Sequence, residues 1–166
     1  MSDEPASTLG HRLFPRRIDN TFTGYRAALW LFGAFVMLRL IMSVNSVLFT
    51  RAVATGADGI PLDAFGAAGA SRFLLLFSFL GLSQLLPALL GLIALIRYRA
   101  MIPLLYLLLL VELGGRRVLA LAHGIERSGP TPVGFYINIA LLAVLVVGLV
   151  LAVMAPPAAR PQANGC

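Results

Sequence analysis

Charged and hydroxyl side chains inside long apolar stretches are the residues of this sequence most able to do chemistry. Arg39, Ser43 and Ser46 are spaced i, i+4 and i+7, so they share one face of a helix. Glu112 and Arg116 share a face of another helix at i and i+4. A carboxylate and guanidinium groups in an apolar setting can form ion pairs, take up a proton or build the cationic wall of a pocket.

The depth of these groups along their helices predicts that they gather in one half of the protein. At about 1.5 Å of rise per residue, Arg39 lies roughly 18 Å from the start of its stretch and Glu112 roughly 16 Å from Met101. Asn138 lies near the outer end of another apolar stretch, the one that follows these two in the sequence. We therefore predict an intramembrane polar cluster in the outer half of the protein, formed by Arg39, Ser43, Ser46, Glu112, Arg116 and Asn138.

The sequence leaves two hypotheses for this cluster open, with equal weight. In the first, Arg39 and Glu112 tie two helices together, as polar contacts do between helices in lipid. In the second, the cluster lines a small outward-facing pocket, because ionisable residues inside a membrane are candidates for functional sites. A charge at the centre of a spanning helix costs about 2.5–3.5 kcal/mol, so both hypotheses require these side chains to turn inward.

The composition predicts which elements carry these residues. Hydrophobic residues make up 59% of the 166-residue chain and charged residues 12%, whereas a soluble domain has about 25% charged residues. Four apolar stretches follow one another, over about 27–49, 73–96, 101–122 and 134–155. Each has about the 20 residues that a helix needs to cross a bilayer core. Since open strands would leave backbone groups unpaired in lipid, we predict an all-α, integral membrane four-helix bundle.

The distribution of arginine predicts the domain organisation and orientation. We expect a cytoplasmic N-terminal tail over 1–26, a transmembrane domain over 27–155 and a disordered C-terminal tail over 156–166. Seven arginines lie in the two tails and in the turn between the second and third apolar stretches, which share one side of the membrane. Three to five arginines lie on the opposite side. The positive-inside rule then places both termini in the cytoplasm. The net charge of +6 does not predict nucleic-acid binding, because the arginines form no basic face on a soluble helix.

No motif in the sequence names a reaction. The chain contains no H-E-x-x-H, P-loop, G-x-S-x-G or G-x-G-x-x-G pattern, so whether the protein is an enzyme is open. His11, His123 and the single cysteine, Cys166, are too far apart in the chain to predict a metal or haem site.

Three short stretches carry a resemblance to a known group of proteins. They are A-D-G-I-P-L at 57–62, R-Y-R-A-M-I-P-L at 97–104 and G-F-Y-I-N at 134–138. Over about 26–155 the chain resembles an uncharacterised family of small four-helix bacterial membrane proteins, broadly DoxX-like. The resemblance implies a four-helix protein of the bacterial inner membrane. Some DoxX-like proteins are tied to quinone-linked oxidoreductases, but the resemblance assigns no catalytic or quinone-binding residue here.

Small size and the absence of motifs favour an accessory or structural subunit of a membrane complex. The alternative is a component of a membrane redox system that binds a small molecule or quinone in the outer-half pocket. A transporter is the third class, and it would need an oligomer because four spans without a repeat make a thin pathway. The expected partners are the lipid bilayer and either a membrane-complex subunit or further copies of this chain. We predict no resident cofactor. A quinone is possible if the protein is the component of a redox system that binds a small molecule.

Overall fold

Four long helices make up most of the part of the chain that the structure describes. A computed structural model describes residues 10, 13–15, 18–123 and 131–154. Its long helices are α1 (Arg26–Leu48), α2 (Gly66–Arg97), α3 (Ile102–Ala122) and α4 (Val133–Val153). No strand occurs among these residues, so the all-α prediction is confirmed for them. The predicted tail at 156–166 and most of the first dozen residues lie outside the described part.

Three segments are long and apolar enough to cross a membrane. They are α1, the segment Leu62–Arg97 that contains α2, and α4. The α3 helix has 21 residues, as many as α4, but Glu112, Arg116 and Arg117 interrupt its apolar sequence. The α3 helix therefore differs from α4 in charge rather than in length.

The α1 helix is the centre of the packing. It lies against both α2 and α4, and α4 also lies against α3. Small residues allow the closest approach: a Cβ atom added to Gly91 of α2 would lie 2.8 Å from Cγ2 of Val36 on α1. Such small residues drive helix contacts in lipid, where close van der Waals packing replaces the hydrophobic effect. The α2 and α3 helices share few contacts, although only a short turn at Arg99–Met101 separates them.

The connection between α1 and α2 covers the beginning of α4. It contains a π-helical turn at Val53–Ala57 and a 3₁₀ turn at Leu62–Phe65. Between them Gly59 has φ of 65°, a conformation that glycine adopts without strain. Gly134 of α4 lies so close that an added Cβ would sit 2.5 Å from Oδ1 of Asp58. Burial in this contact raises the pKa of the Asp58 carboxyl above its ordinary value.

Candidate functional site

An ion triad joins α1 to α3. Nη2 of Arg39 donates to Oε1 of Glu112 at 3.3 Å, and Nη2 of Arg116 donates to the same oxygen at 2.6 Å. Arg116 follows Glu112 by one helical turn, so their pairing is local, whereas Arg39 comes from a different helix. The structure thus brings three of the six predicted cluster residues together. We call Arg39, Glu112 and Arg116 the ion triad.

One side chain of the ion triad is buried, and the other two are partly exposed. The Arg39 side chain is 4% exposed, whereas those of Glu112 and Arg116 are 27% and 31% exposed. Two guanidinium groups against one carboxylate leave the triad with an excess positive charge. Within the described part of the chain, the bond to Glu112 is the one hydrogen bond of the Arg39 guanidinium, which has five N–H donors. Arg39 therefore depends on Glu112, because a buried charge without a partner is strongly destabilising.

Ser43 adds an unpaired hydroxyl next to the triad. It follows Arg39 by one turn of α1, and it is buried. Its Oγ has no hydrogen-bond partner among the described residues. A buried hydroxyl without a partner costs about 1–3 kcal/mol, so Ser43 adds to the cost of the polar groups buried along this face of α1.

Ser46 and Asn138 do not belong to the triad. Ser46 packs against α2, where a Cβ added to Gly81 would lie 2.9 Å from the Ser46 Cβ. The Asn138 side chain donates from Nδ2 to the carbonyl oxygen of Gly134 at 2.7 Å. A short amide side chain reaches the carbonyl one turn back in its own helix more easily than a group on another helix. Among the described residues, neither Ser46 nor Asn138 forms a hydrogen bond with the triad, and their place in the predicted cluster stays a prediction.

Arg117 anchors α3 to α4, a role that the sequence did not reveal. Its guanidinium lies over the ring of Phe135, 4.2 Å from the centroid, and Nη2 donates to the Phe135 carbonyl oxygen at 2.9 Å. Five residues separate Arg117 from Glu112, which is about 140° around the helix. The open side of the triad therefore faces away from α4.

Tyr106 is the second contact that sequence reasoning missed. Its hydroxyl donates to the carbonyl oxygen of Ala28 at 2.7 Å, and its ring meets Phe32 edge-on with centroids 5.0 Å apart. The ring also lies directly on Gly148 of α4. A tyrosine within a leucine-rich stretch does signal that its hydroxyl needs a partner, but it does not identify that partner.

A cavity of about 500 Å³ lies between α2 and α3 near the turn that connects them. It is lined by Leu90 and Ala94 of α2, by Leu105 of α3 and by Ile18. Leu105 and Glu112 are seven residues apart, which places them on one face of α3, about 10 Å apart along the helix. We call this apolar space the α2–α3 groove.

No protein-family model, curated protein or solved structure matches this chain. The resemblance to DoxX-like proteins therefore stays a hypothesis, and the function has to be inferred from the ion triad and the groove.

The described residues contain no group of three His, Cys, Asp or Glu side chains that could hold a metal ion. His123 is exposed at the end of α3, and its Nδ1 lies 2.8 Å from the Leu119 carbonyl oxygen of the same helix. The chemistry that this region offers is thus the binding of charge and the exchange of hydrogen bonds at Arg39, Glu112, Arg116 and Ser43.

Proposed function

We propose that this chain is an integral membrane protein of four spans that serves as an accessory or structural subunit of a membrane complex. The observation that carries the proposal is the partial exposure of Glu112 and Arg116, which helical periodicity places on the same face of α3 as Leu105 of the α2–α3 groove. Charged groups that face lipid cost about 2.5–3.5 kcal/mol each at the centre of a helix. A neighbouring protein chain in the α2–α3 groove would remove this contact with lipid.

The proposal treats α3 as the fourth span despite its charges. Its 21 residues extend about 32 Å at 1.5 Å per residue, which matches a hydrocarbon core of about 30 Å. Its charged side chains pair with α1 and α4 instead of standing alone. Four spans would put both termini on one side, and the arginine distribution favours the cytoplasmic side. A bacterial inner membrane is what the resemblance to DoxX-like proteins implies.

Site-specific photo-cross-linking tests the accessory role. A photoreactive residue at Leu108, one turn before Glu112 on the groove side, should cross-link to a spanning segment of another chain in native membranes. The same residue at Val118, which is also exposed but lies about 120° around the helix from Glu112, should give only lipid adducts. Arg116→Gln should lower the yield at Leu108 several-fold, because it removes the exposed charge that the partner would shield from lipid but keeps the Arg39–Glu112 pair.

Two results would contradict the accessory role. One is a pattern of lipid adducts alone at both positions. The other is equal cross-linking to protein at Leu108 and Val118, since a specific interface should distinguish the two faces of α3.

A second candidate function rests on the cavity in the α2–α3 groove. An apolar cavity of about 500 Å³ is within the range of small-molecule sites, and the α3 face that lines it carries Glu112 and Arg116 further along the helix. The unpaired Ser43 hydroxyl is close to the same triad along α1. This arrangement fits a small amphiphile or a quinone, with its polar end at the triad and its apolar part in the groove.

Native mass spectrometry of the gently extracted protein tests this second function. We expect a retained small molecule in the wild type and its loss in Arg39→Leu, because the triad then loses the charge that positions Glu112. The control is Arg117→Leu, which changes a guanidinium held by α4 on another face. A wild-type protein that retains no small molecule would exclude this function.

A further inference from the structure

A second cavity lies between α1 and α2, and its wall combines two free cations with an exposed tryptophan. It has a volume of about 680 Å³. On α1 it is lined by Arg26, Trp30, Gly33 and Met37, whose spacing of i, i+4, i+7 and i+11 forms one continuous stripe. Arg99, just beyond the end of α2, closes the same cavity from the other side. One end of the cavity is therefore cationic, and the rest of its wall is apolar.

The two arginines of this cavity have no acidic partner among the residues that the structure describes. Both are exposed, and neither forms an ion pair with a carboxylate in the part of the chain that the structure describes. Nε of Arg99 donates to the Leu95 carbonyl oxygen at 3.0 Å, which fixes the guanidinium but leaves its two terminal nitrogens free to donate. Paired guanidinium groups favour phosphate oxygens, because their planar N–H groups match them in charge and geometry.

The apolar part of the cavity wall begins at Trp30. Trp30 is 81% exposed and lies one turn from Arg26, and tryptophan is enriched at the boundary between lipid and water. Beyond it, a Cβ added to Gly33 would lie 3.3 Å from Cδ2 of Leu95, so glycine makes a shallow floor between the helices. An acyl chain can lie along this floor towards Met37.

We infer that this cavity is a binding site for an anionic phospholipid, whose phosphate lies between Arg26 and Arg99 and whose acyl chain follows Trp30, Gly33 and Met37. The inference rests on the proposed insertion in a membrane. Basic pockets between spanning helices bind lipid headgroups on the cytoplasmic side, where each arginine adds about fivefold in affinity for an anionic surface.

The fluorescence of Trp30 provides a direct test, because it is the one tryptophan of the chain. The full chain is placed in phosphatidylcholine vesicles that contain a small, equal fraction of either brominated phosphatidylglycerol or brominated phosphatidylcholine. Bromine on an acyl chain quenches tryptophan on contact. We expect the anionic lipid to quench Trp30 at a several-fold lower fraction than the zwitterionic lipid.

Matched variants separate a site from general attraction to the surface. Arg26→Gln and Arg99→Gln should each lower the preference for the anionic lipid about fivefold. Arg97→Gln should leave it unchanged, because Arg97 is exposed next to the same turn but does not line the cavity. Ala34→Leu, which keeps all charges but fills the cavity from an exposed position of α1, should lower quenching by both lipids at low lipid fraction.

Three results would overturn the lipid site. Equal quenching by the two lipids would show that no anionic headgroup is selected. An equal loss of preference in Arg97→Gln would assign the effect to the surface charge of the whole turn. Reversal of the quenching by added inorganic phosphate would assign the arginines to a soluble anion. Absence of quenching by either lipid would refute membrane insertion itself, which distinguishes failure of the proposed function from failure of this site.

Discussion

Glu112→Gln is expected to destabilise the folded protein by about 3 kcal/mol, because it leaves the buried guanidinium of Arg39 without the carboxylate that pairs with it in the described part of the chain. The amide keeps the size of the side chain but removes its charge, so two guanidinium groups then face each other without compensation. Arg116 can extend towards solvent or headgroups because it is partly exposed, but Arg39 cannot. The measurement is the free energy of unfolding in mixed micelles, followed by the loss of helical signal.

The double variant Arg39→Leu/Glu112→Leu is the control for this prediction. A buried ion pair replaced by apolar residues is often neutral or stabilising, so the double variant should unfold within about 1 kcal/mol of the wild type. The single and double variants together separate two free energies: the cost of burying the Arg39 charge without a partner, and the net contribution of the Arg39–Glu112 ion pair to stability. If Glu112→Gln alone is as stable as the wild type, the Arg39 guanidinium does not depend on an ion pair with Glu112.

The second large effect is expected at Gly148, where the Tyr106 ring lies directly on the α4 backbone. Any Cβ at this position would overlap the ring, whose position is fixed by the hydrogen bond to Ala28 and by the edge contact with Phe32. We expect Gly148→Val to destabilise the protein by about 3 kcal/mol, the upper part of the range for overpacked cores. The unfolding experiment used for Glu112→Gln measures this change as well.

Ala143→Val serves as the matched control, because Ala143 lies on the same helix but is exposed. Its effect should stay within about 0.5 kcal/mol, as is usual for surface positions. Gly148→Ala should also cost less in a Tyr106→Leu background than in the wild type, since the ring that it would overlap is gone. Additive effects of these two changes would contradict a direct steric conflict between residues 106 and 148.

Together these contacts explain why α3 is fixed although its sequence is the most charged of the four helices. Tyr106 and the ion triad attach it to α1, and Arg117 attaches it to α4. Its remaining side, along the α2–α3 groove, has few contacts within the chain. A fixed helix with one uncovered, partly charged face is the basis for both candidate functions, whether a protein helix or an amphiphile occupies the groove.

The sequence alone determined the helices and part of the ion triad. Long apolar stretches leave no alternative to helices in lipid, and the i, i+4 spacing of Glu112 and Arg116 places them on one face of α3 in any packing. The pairing of Arg39 with Glu112 could also be expected, because a buried arginine needs a carboxylate and the described helices offer few. These features depend on local periodicity and on the cost of an unpaired charge.

The tertiary structure decided which helices became neighbours. Helical periodicity places Ser46 on the face of Arg39, but Ser46 packs on Gly81 of α2. Asn138 was a candidate for the same cluster, but its side chain forms a hydrogen bond within its own helix. Between helices in lipid there is little hydrophobic driving force, so shape selects the neighbours. Small residues such as Gly91 and Gly148, which admit Val36 and the Tyr106 ring, set the distances between helices. The α2–α3 groove lies between two helices that share few contacts although a short turn connects them.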